Sequence, residues 1–205
     1  LSGSGKMRLN AALASFRSIS VRERSALRML DPGNRERSRS VLDPVFLVDR
    51  QHWEKLSSAS QMPEETKGGS FAFVYLLGDE KKSRDLARRI AALRGLEITA
   101  FVHAQNVFCR WDQNFGDRQV AAYGPADFLR MIKDSSIVIT DSFHAVSFSI
   151  LFETPFFVIE RADGDSIHSR ITDLLDDTDL RMCMARHRQT EEYYLENPDF
   201  SRARQ

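Results

Sequence analysis

The stretch at residues 134–161, DSSIVITDSFHAVSFSILFETPFFVIER, has the pattern of a strand, a sharp turn, a helix and a second strand. The β-branched run at 137–139 favours a strand that is covered on both faces. Turn-forming and capping residues follow at 140–142, so a helix is expected to begin near Phe143. Pro155 ends that helix, and the apolar residues 156–159 predict a return to strand.

Ligands of such a parallel strand–helix–strand unit bind beyond the carboxyl end of the strand, where the helix begins. Ser142, Phe143 and His144 lie at this point of the sequence. The free N–H groups and the positive dipole end of the helix favour an anion there. Asp141 could orient or charge the imidazole of His144. A structural histidine that is hydrogen-bonded to the backbone is the alternative.

The composition indicates one globular domain, with or without an appendage. The 205 residues are 42% hydrophobic and 28% charged, and the formal net charge is +0. This balance argues against a general nucleic-acid or membrane-surface binder, which usually carries a basic excess. No apolar run reaches the ~20 residues that a membrane-spanning helix needs. Two isolated cysteines, Cys109 and Cys183, argue against a disulfide framework and favour a reducing, cytoplasmic location, with a single disulfide between them as the alternative.

The first forty residues give mixed signals. The SGSGK sequence at 2–6 lacks the spacing of a phosphate-binding loop, so a flexible leader is expected. Arg22 follows a strand candidate at 19–21 and precedes a helix candidate at 23–30, which makes it either a surface arginine or a site residue. The sequence DPGN at 31–34 predicts a stop, the basic residues 35–39 a loop, and Val41-Leu42 a strand.

Strands and helices alternate regularly from residue 71. A strand is expected at 71–77, ending at Gly78, followed by a helix at 80–94, a strand at 96–102, a long loop at 104–124 and a helix at 126–133. This alternation predicts an α/β fold with a doubly wound, mostly parallel sheet flanked by helices. Residues 57–70 are a linker or a surface loop.

The end of the chain is more polar. Arg161 opens a loop, and a short helix is expected at 169–175. Arg170 lies in its first turn, where a cation opposes the helix dipole. An anionic partner would explain this, and so would a salt bridge to Asp165 or Asp173. The segment 191–205 is expected to be a helix that fades into a polar tail.

At several of these blocks the sequence resembles a known family. The run GPADFLRMIKDSSIVITDSFHAVSFSILFETPFFVIER, together with ISVRERS at 19–25, VLDP at 41–44 and SRITDLL at 169–175, is similar to the polysaccharide pyruvyl transferases. The resemblance implies two facing α/β domains of the GT-B type. It also implies phosphoenolpyruvate as the donor substrate, a saccharide hydroxyl pair as the acceptor, and no cofactor. On this reading residues 1–30 end an N-terminal domain, 31–190 form the C-terminal Rossmann-like donor-binding domain, and 191–205 form a tail.

The resemblance also implies roles for individual residues. His144 would carry a proton, since an imidazole ordinarily titrates near neutral pH, at about 6.5. The backbone at Ser142 and Phe143 and the guanidinium of Arg22 would hold the anionic groups of the donor. Further substrate-binding candidates are Asp141, Arg161, Arg170 and Gly78.

The chain departs from the family pattern at two positions. The family usually has Gly where this chain has Ala145. Some relatives have Arg where it has Ser142, so another residue must supply that cation. The scheme requires no metal.

Two other functional classes stay open at this point. A GT-B domain can hold a nucleotide-sugar diphosphate at the same helix start, as a glycosyltransferase or a sugar epimerase would. The chain could also be a non-catalytic half-enzyme that serves as a binding module, and pyruvyl transfer by this chain alone is not expected. The acceptor sugar, any lipid linkage and the oligomeric state are left open by the sequence.

Overall fold

The computed structural model describes residues 2–63, 70–102, 109–161 and 165–204, with 165–168 described by their backbone only. The helices in these ranges are α1 (Gly3–Leu13), α2 (Arg24–Leu27), α3 (Pro32–Glu36), α4 (Arg50–Ser57), α5 (Lys81–Leu93), α6 (Pro125–Asp134), α7 (Phe143–Phe152), α8 (Asp165–Thr178) and α9 (Glu191–Leu195). The strands are β1 (Ile19–Val21), β2 (Ser38–Ser40), β3 (Phe71–Tyr75), β4 (Glu97–Phe101), β5 (Arg118–Val120), β6 (Ile137–Thr140), β7 (Phe156–Ile159) and β8 (Met184–Ala185).

Six of these strands form one sheet in the order β5-β4-β3-β6-β7-β8. Every neighbouring pair in it is parallel. The order therefore runs outward in both directions from the central pair β3 and β6, as in doubly wound Rossmann-like folds. This confirms the predicted fold class. A separate pair of short parallel strands joins β1 to β2.

Helices cover both faces of the six-stranded sheet. On one face Phe73 and Val138 pack with buried residues of α6, α7 and α8. On the other face their strand neighbours Val74 and Ile139 pack with α5 and with Tyr194 of α9. The alternation follows from the two-residue period of a strand, and it explains why the inner strands are continuously apolar.

The structure confirms α7 and both strands around it. Ser142 caps the helix, and its hydroxyl accepts a hydrogen bond from the Ala145 N–H. Ser147 and Ser149 lie in the buried interior, where their hydroxyls donate to carbonyls one turn earlier in the same helix. The helix ends at Phe152, because the left-handed φ of 58° at the capping residue Glu153 stops the hydrogen-bond ladder.

The prediction of a flexible leader at residues 2–6 is wrong. Ser2 accepts a hydrogen bond from the Gly5 N–H at 3.2 Å and caps α1, so these residues begin a helix. Residues 31–34, where the sequence predicted the end of a helix, also begin the next helix. Asp31 caps α3 by accepting from the Asn34 N–H at 2.8 Å, and Pro32 occupies the first turn, which proline tolerates.

The basic stretch at 35–39 is not the predicted loop. It runs through the end of α3 into β2, which pairs with β1 through residues 38–40. The strand predicted at Val41-Leu42 is wrong, because β2 ends at Ser40 and both of these side chains are exposed. The helix predicted at 23–30 is limited to Arg24–Leu27.

The long loop predicted at 104–124 contains the edge strand β5, which pairs with β4 through Arg118–Val120. Its residues 104–108 lie outside the described residues, as do 64–69 of the candidate linker. The helix predicted at 169–175 is the centre of the longer α8. The predicted polar tail packs against the rest of the protein, because Tyr194 and Phe200 are buried.

Cys109 and Cys183 are both free and buried. This agrees with the expectation of no disulfide framework. Burial raises the pKa of the Cys183 thiol to about 12.

Candidate active site

The centre of the sheet defines a crevice for ligands. After β3 the chain enters α5 on one face of the sheet, and after β6 it enters α7 on the other face. Because the two helices leave in opposite directions, an opening is left beyond the carboxyl ends of β3 and β6, where Tyr75 and Leu77 lie beside Ser142. Ligands of open parallel sheets bind at this kind of switch point.

Asp141 joins the two strand ends at the floor of the crevice. Its carboxylate accepts hydrogen bonds from the backbone N–H groups of Leu77 at 2.7 Å and of Gly78 at 2.9 Å. Arg161 approaches the same carboxylate, with Nε 3.5 Å from Oδ2. Burial raises the pKa of Asp141, although the two N–H donors and Arg161 act in the opposite direction. We call Gly78, Asp141 and Arg161 the Asp141 cluster.

The three members of this cluster were each predicted to bind substrate, and the structure brings them together. An added Cβ at Gly78 would lie 3.0 Å from Arg161 Cδ and 3.2 Å from Asp141 Oδ2, so the turn packs closely against both side chains. In this arrangement the Gly78 N–H and the Arg161 guanidinium both pair with the Asp141 carboxylate.

The first turn of α7 offers unpaired donors. The Ser142 N–H is taken by the Thr140 hydroxyl at 3.0 Å, and the Ala145 N–H by the Ser142 hydroxyl at 3.5 Å. The N–H groups of Phe143 and His144 have no acceptor among the described residues. They are therefore free to bind an anion at the positive end of the helix.

His144 is the one exposed residue of this helix turn, between buried neighbours on both sides. Its side chain makes no hydrogen bond within the described part of the chain, and its ring centroid lies 5.6 Å from that of Phe143. An exposed imidazole without a structural partner is available to a substrate. This geometry disfavours the alternative of a structural histidine bonded to the backbone.

His144 and Ser142 line a cavity of about 410 Å³ whose other walls are mainly aromatic and apolar. We call it the aromatic cavity, and its described lining is Tyr75, Leu77, Tyr123, Gly124, Pro125, Phe128, Ser142, His144 and Phe148. Burial raises the pKa of both tyrosine hydroxyls, so they remain protonated hydrogen-bonding groups at neutral pH.

The predicted arginines lie elsewhere. Arg22 lines a second cavity, of about 210 Å³, together with Phe143 and Arg170. Arg22 Nη1 is 2.5 Å from Asp43 Oδ2, and 44% of the Arg22 side chain is exposed. We call this the arginine cavity; its described lining also includes Arg24 and three aspartates, Asp43, Asp173 and Asp177.

Arg170 stands beside the start of α7. Its guanidinium lies over the Phe143 ring, 5.5 Å from the centroid, and its Nε is 3.2 Å from Glu23 Oε2. A salt bridge thus accounts for this cation, and its partner is Glu23; the side chain of Asp165 lies outside the described residues, and the Asp173 carboxylate accepts a hydrogen bond from the Arg24 N–H. The first turn of α7 borders both cavities, since Phe143 lines one and its neighbours Ser142 and His144 line the other.

Sequence reasoning missed the aromatic wall. Tyr75 was placed inside a buried strand, and Tyr123 fell in the loop predicted at 104–124. The one available signal was the Tyr-Gly-Pro sequence at 123–125, directly before a helix start. It shows that Tyr123 lies at the amino end of α6 but not which cavity its ring faces.

These features define a class: a doubly wound parallel α/β protein with an exposed histidine and free helix N–H groups at the switch point of its sheet. The family model described as polysaccharide pyruvyl transferase matches residues 1–163. The chain therefore belongs to the polysaccharide pyruvyl transferase family. A search of curated proteins found no significant match.

Two further observations concern the described residues alone. No helix among them combines the length and the apolar character that crossing a membrane requires. No group of three or more histidine, cysteine or acidic side chains is placed there to hold a metal ion.

Proposed function

We propose that this protein transfers the pyruvyl group of phosphoenolpyruvate to two hydroxyls of a saccharide, forming a cyclic ketal during the synthesis of an exopolysaccharide or cell-surface glycan. The observation that carries the proposal is the exposed His144 beside the free N–H groups of Phe143 and His144, at the switch point of a family member's sheet.

The chemistry needs one proton carrier and several anion donors. One saccharide hydroxyl adds to C2 of the enol, and the C3 methylene gains a proton to become a methyl group. The C2–O bond to phosphate then breaks, and the second hydroxyl closes the ring as its proton leaves. Of the two hydroxyl protons, one ends on the methyl carbon and the other on the released phosphate.

His144 suits the proton transfer because it is exposed, is unpaired among the described residues and lines the aromatic cavity. The two free N–H groups suit the phosphate or the carboxylate of the donor.

Arg22 is the cation proposed to complete the donor site. The arginine cavity borders Phe143, and only one of the five donor N–H groups of Arg22 points at Asp43. The formal charges of the described residues around this cavity balance, with three arginines against three aspartates. A donor must therefore compete with Asp43 for Arg22.

A cytoplasmic location is part of the same proposal. Two buried free thiols suit a reducing compartment.

Amide chemical shifts during titration of the labelled chain with phosphoenolpyruvate would test the proposal. The largest shifts are expected at residues 142–144 and at Arg22. His144→Gln is the matched variant, since it keeps the backbone donors and should still show the shifts at 142–144. Shifts confined to residues 35–39, or a response to uridine diphosphate but not to phosphoenolpyruvate, would contradict the proposal.

A further inference from the structure

We infer that the aromatic cavity is the binding site for the acceptor saccharide ring, with Tyr123 and Tyr75 as its specificity-determining wall. The inference rests on the proposed function and adds the place of the acceptor. It assigns the donor to the arginine cavity and the acceptor to the aromatic cavity, both of which border the first turn of α7.

The first argument is charge. The described residues that line the aromatic cavity include no Arg, Lys, Asp or Glu. Phosphoenolpyruvate carries a phosphate and a carboxylate, which require cations or many N–H donors. A neutral saccharide requires neither, and it suits a wall of aromatic rings with a few polar groups at fixed points.

The second argument is the chemistry of the wall. The ring C–H groups of a pyranose form an apolar face, while its hydroxyls point outward. Tyrosine presents an apolar ring with a polar tip, and therefore matches both parts of a sugar. The hydroxyls of Tyr75 and Tyr123, which hydrogen-bond to each other, and the Ser142 hydroxyl, which accepts from the Ala145 N–H, are the neutral polar groups beside the imidazole of His144.

The third argument is rigidity. The Tyr123 ring stacks on Phe101 with centroids 3.9 Å apart, and Tyr75 meets Phe128 edge to face at 5.1 Å. Phe128 also contacts Phe148 edge to face at 6.3 Å. Rings held by other rings are already in position before a ligand arrives, which lowers the entropy cost of binding.

The fourth argument is position. His144 lines the same open cavity, so a sugar on the aromatic wall has its hydroxyls beside the imidazole. A volume of about 410 Å³ lies within the range typical of small-molecule sites. The acceptor hydroxyls would reach the proton carrier from the aromatic cavity, while the donor lies in the arginine cavity that borders the same helix turn.

Saturation-transfer NMR with methyl β-galactopyranoside and methyl β-glucopyranoside as probes at millimolar concentration tests this inference. Binding of at least one probe is expected, with strongest transfer to its ring C–H protons. Tyr123→Leu keeps apolar bulk over Phe101 but removes the ring, and should weaken binding by at least tenfold. Tyr123→Phe keeps the ring and should retain most of it.

Two controls accompany this pair. Phe16→Ala removes an exposed ring outside the cavity and should change nothing. If Tyr123→Leu fails to fold, Tyr75→Leu provides the same test from the facing ring. The amide shifts caused by phosphoenolpyruvate should persist in every folded variant, because the donor binds at the other side of the α7 start.

Several outcomes would overturn the inference. The first is a folded Tyr123→Leu variant that binds the probes as tightly as the wild type. The second is a protein that binds phosphoenolpyruvate but neither pyranoside. The third is displacement of the probes by uridine diphosphate, which would identify the aromatic wall as a nucleobase site. If the pyranosides bind and phosphoenolpyruvate does not, the pyruvyl-transfer proposal fails while the sugar site stands.

Discussion

The Oδ2 atom of Asp141 accepts a hydrogen bond from the backbone N–H of Gly78 at 2.9 Å. This bond ties the end of β6 to the turn after β3, across the point where the strand order of the sheet reverses. The floor of the crevice is therefore fixed by a buried carboxylate. Asp141 and Gly78 support the site in this way, and the groups exposed to a ligand lie on the helix turn that follows.

Gly78→Ala is expected to destabilise the protein by about 1–3 kcal/mol, the usual cost of overpacking. The new Cβ would lie 3.0 Å from Arg161 Cδ and would press on the Asp141 cluster. Urea unfolding measures the change. Gly3→Ala is the matched control, since its Cβ would meet nothing within 4 Å. Equal midpoints for the two variants would show that Arg161 moves aside without cost.

In the natural protein, His144→Gln is expected to lower kcat by about 10²–10⁴-fold, the range for lost general acid–base catalysis. The melting temperature should stay unchanged, because the side chain is exposed and makes no hydrogen bond within the described residues. His52→Gln on the exposed face of α4 is the control. A variant that folds normally and keeps its kcat would remove His144 from the mechanism.

Arg22→Lys is expected to raise the Kd for phosphoenolpyruvate about tenfold, because an ammonium cannot reproduce the planar guanidinium fork. Titration calorimetry measures the affinity. Arg39→Lys, at an exposed position in β2, is the matched control and should bind like the wild type. If Arg22→Lys and Arg39→Lys bind phosphoenolpyruvate equally well, Arg22 pairs with Asp43 and does not bind the donor.

Asp127 should make stability depend on pH below neutrality. Burial alone would raise its pKa, but hydrogen bonds from the Ser60 hydroxyl and from the N–H groups of Gly124, Gln61 and Met62 outweigh burial and lower it. A lowered pKa in the folded state means that the carboxylate stabilises the fold above its unfolded pKa of 3.8, and that this contribution is lost as the pH falls through the folded value.

The wild type should therefore exceed Asp127→Asn in unfolding free energy by about 1–2 kcal/mol at pH 7, the scale of a charge-assisted hydrogen bond. The difference should shrink as the pH is lowered through about 4 and below. Urea unfolding over this range measures it, with Glu36→Gln, at an exposed position at the end of α3, as control. A difference that does not change with pH would show that the amide replaces the carboxylate fully.

The sequence predicted the elements whose side chains are buried on every side. The run 137–139 and the helix after Ser142 carry strong apolar and capping signals, and both form as expected. The edge strand β5 was missed because two of its three residues, Arg118 and Gln119, are polar and exposed. The strand β8 has two residues, too few for any pattern. Asp31-Pro32 signals a turn and a helix start equally well, and only the backbone that follows decides between them.

The site was predicted less completely than the fold. The turn at 141–144 could be located because strand ends and helix starts leave a local signature. The partners of Arg22, Arg161 and Arg170 could not be, because each pairs with an acidic residue from another part of the chain. The aromatic cavity likewise depends on rings from β3, α6 and α7, which meet only after the sheet has formed.

The two outermost strands of the sheet have consequences for behaviour in concentrated solution. β5 has three residues and β8 has two, so each edge exposes only a short row of unpaired backbone groups. An incoming extended chain finds few sites to which it can add, although the inner strands are rich in β-branched and aromatic residues. The native protein should therefore resist edge-to-edge aggregation, and fibril growth should require that the sheet first open.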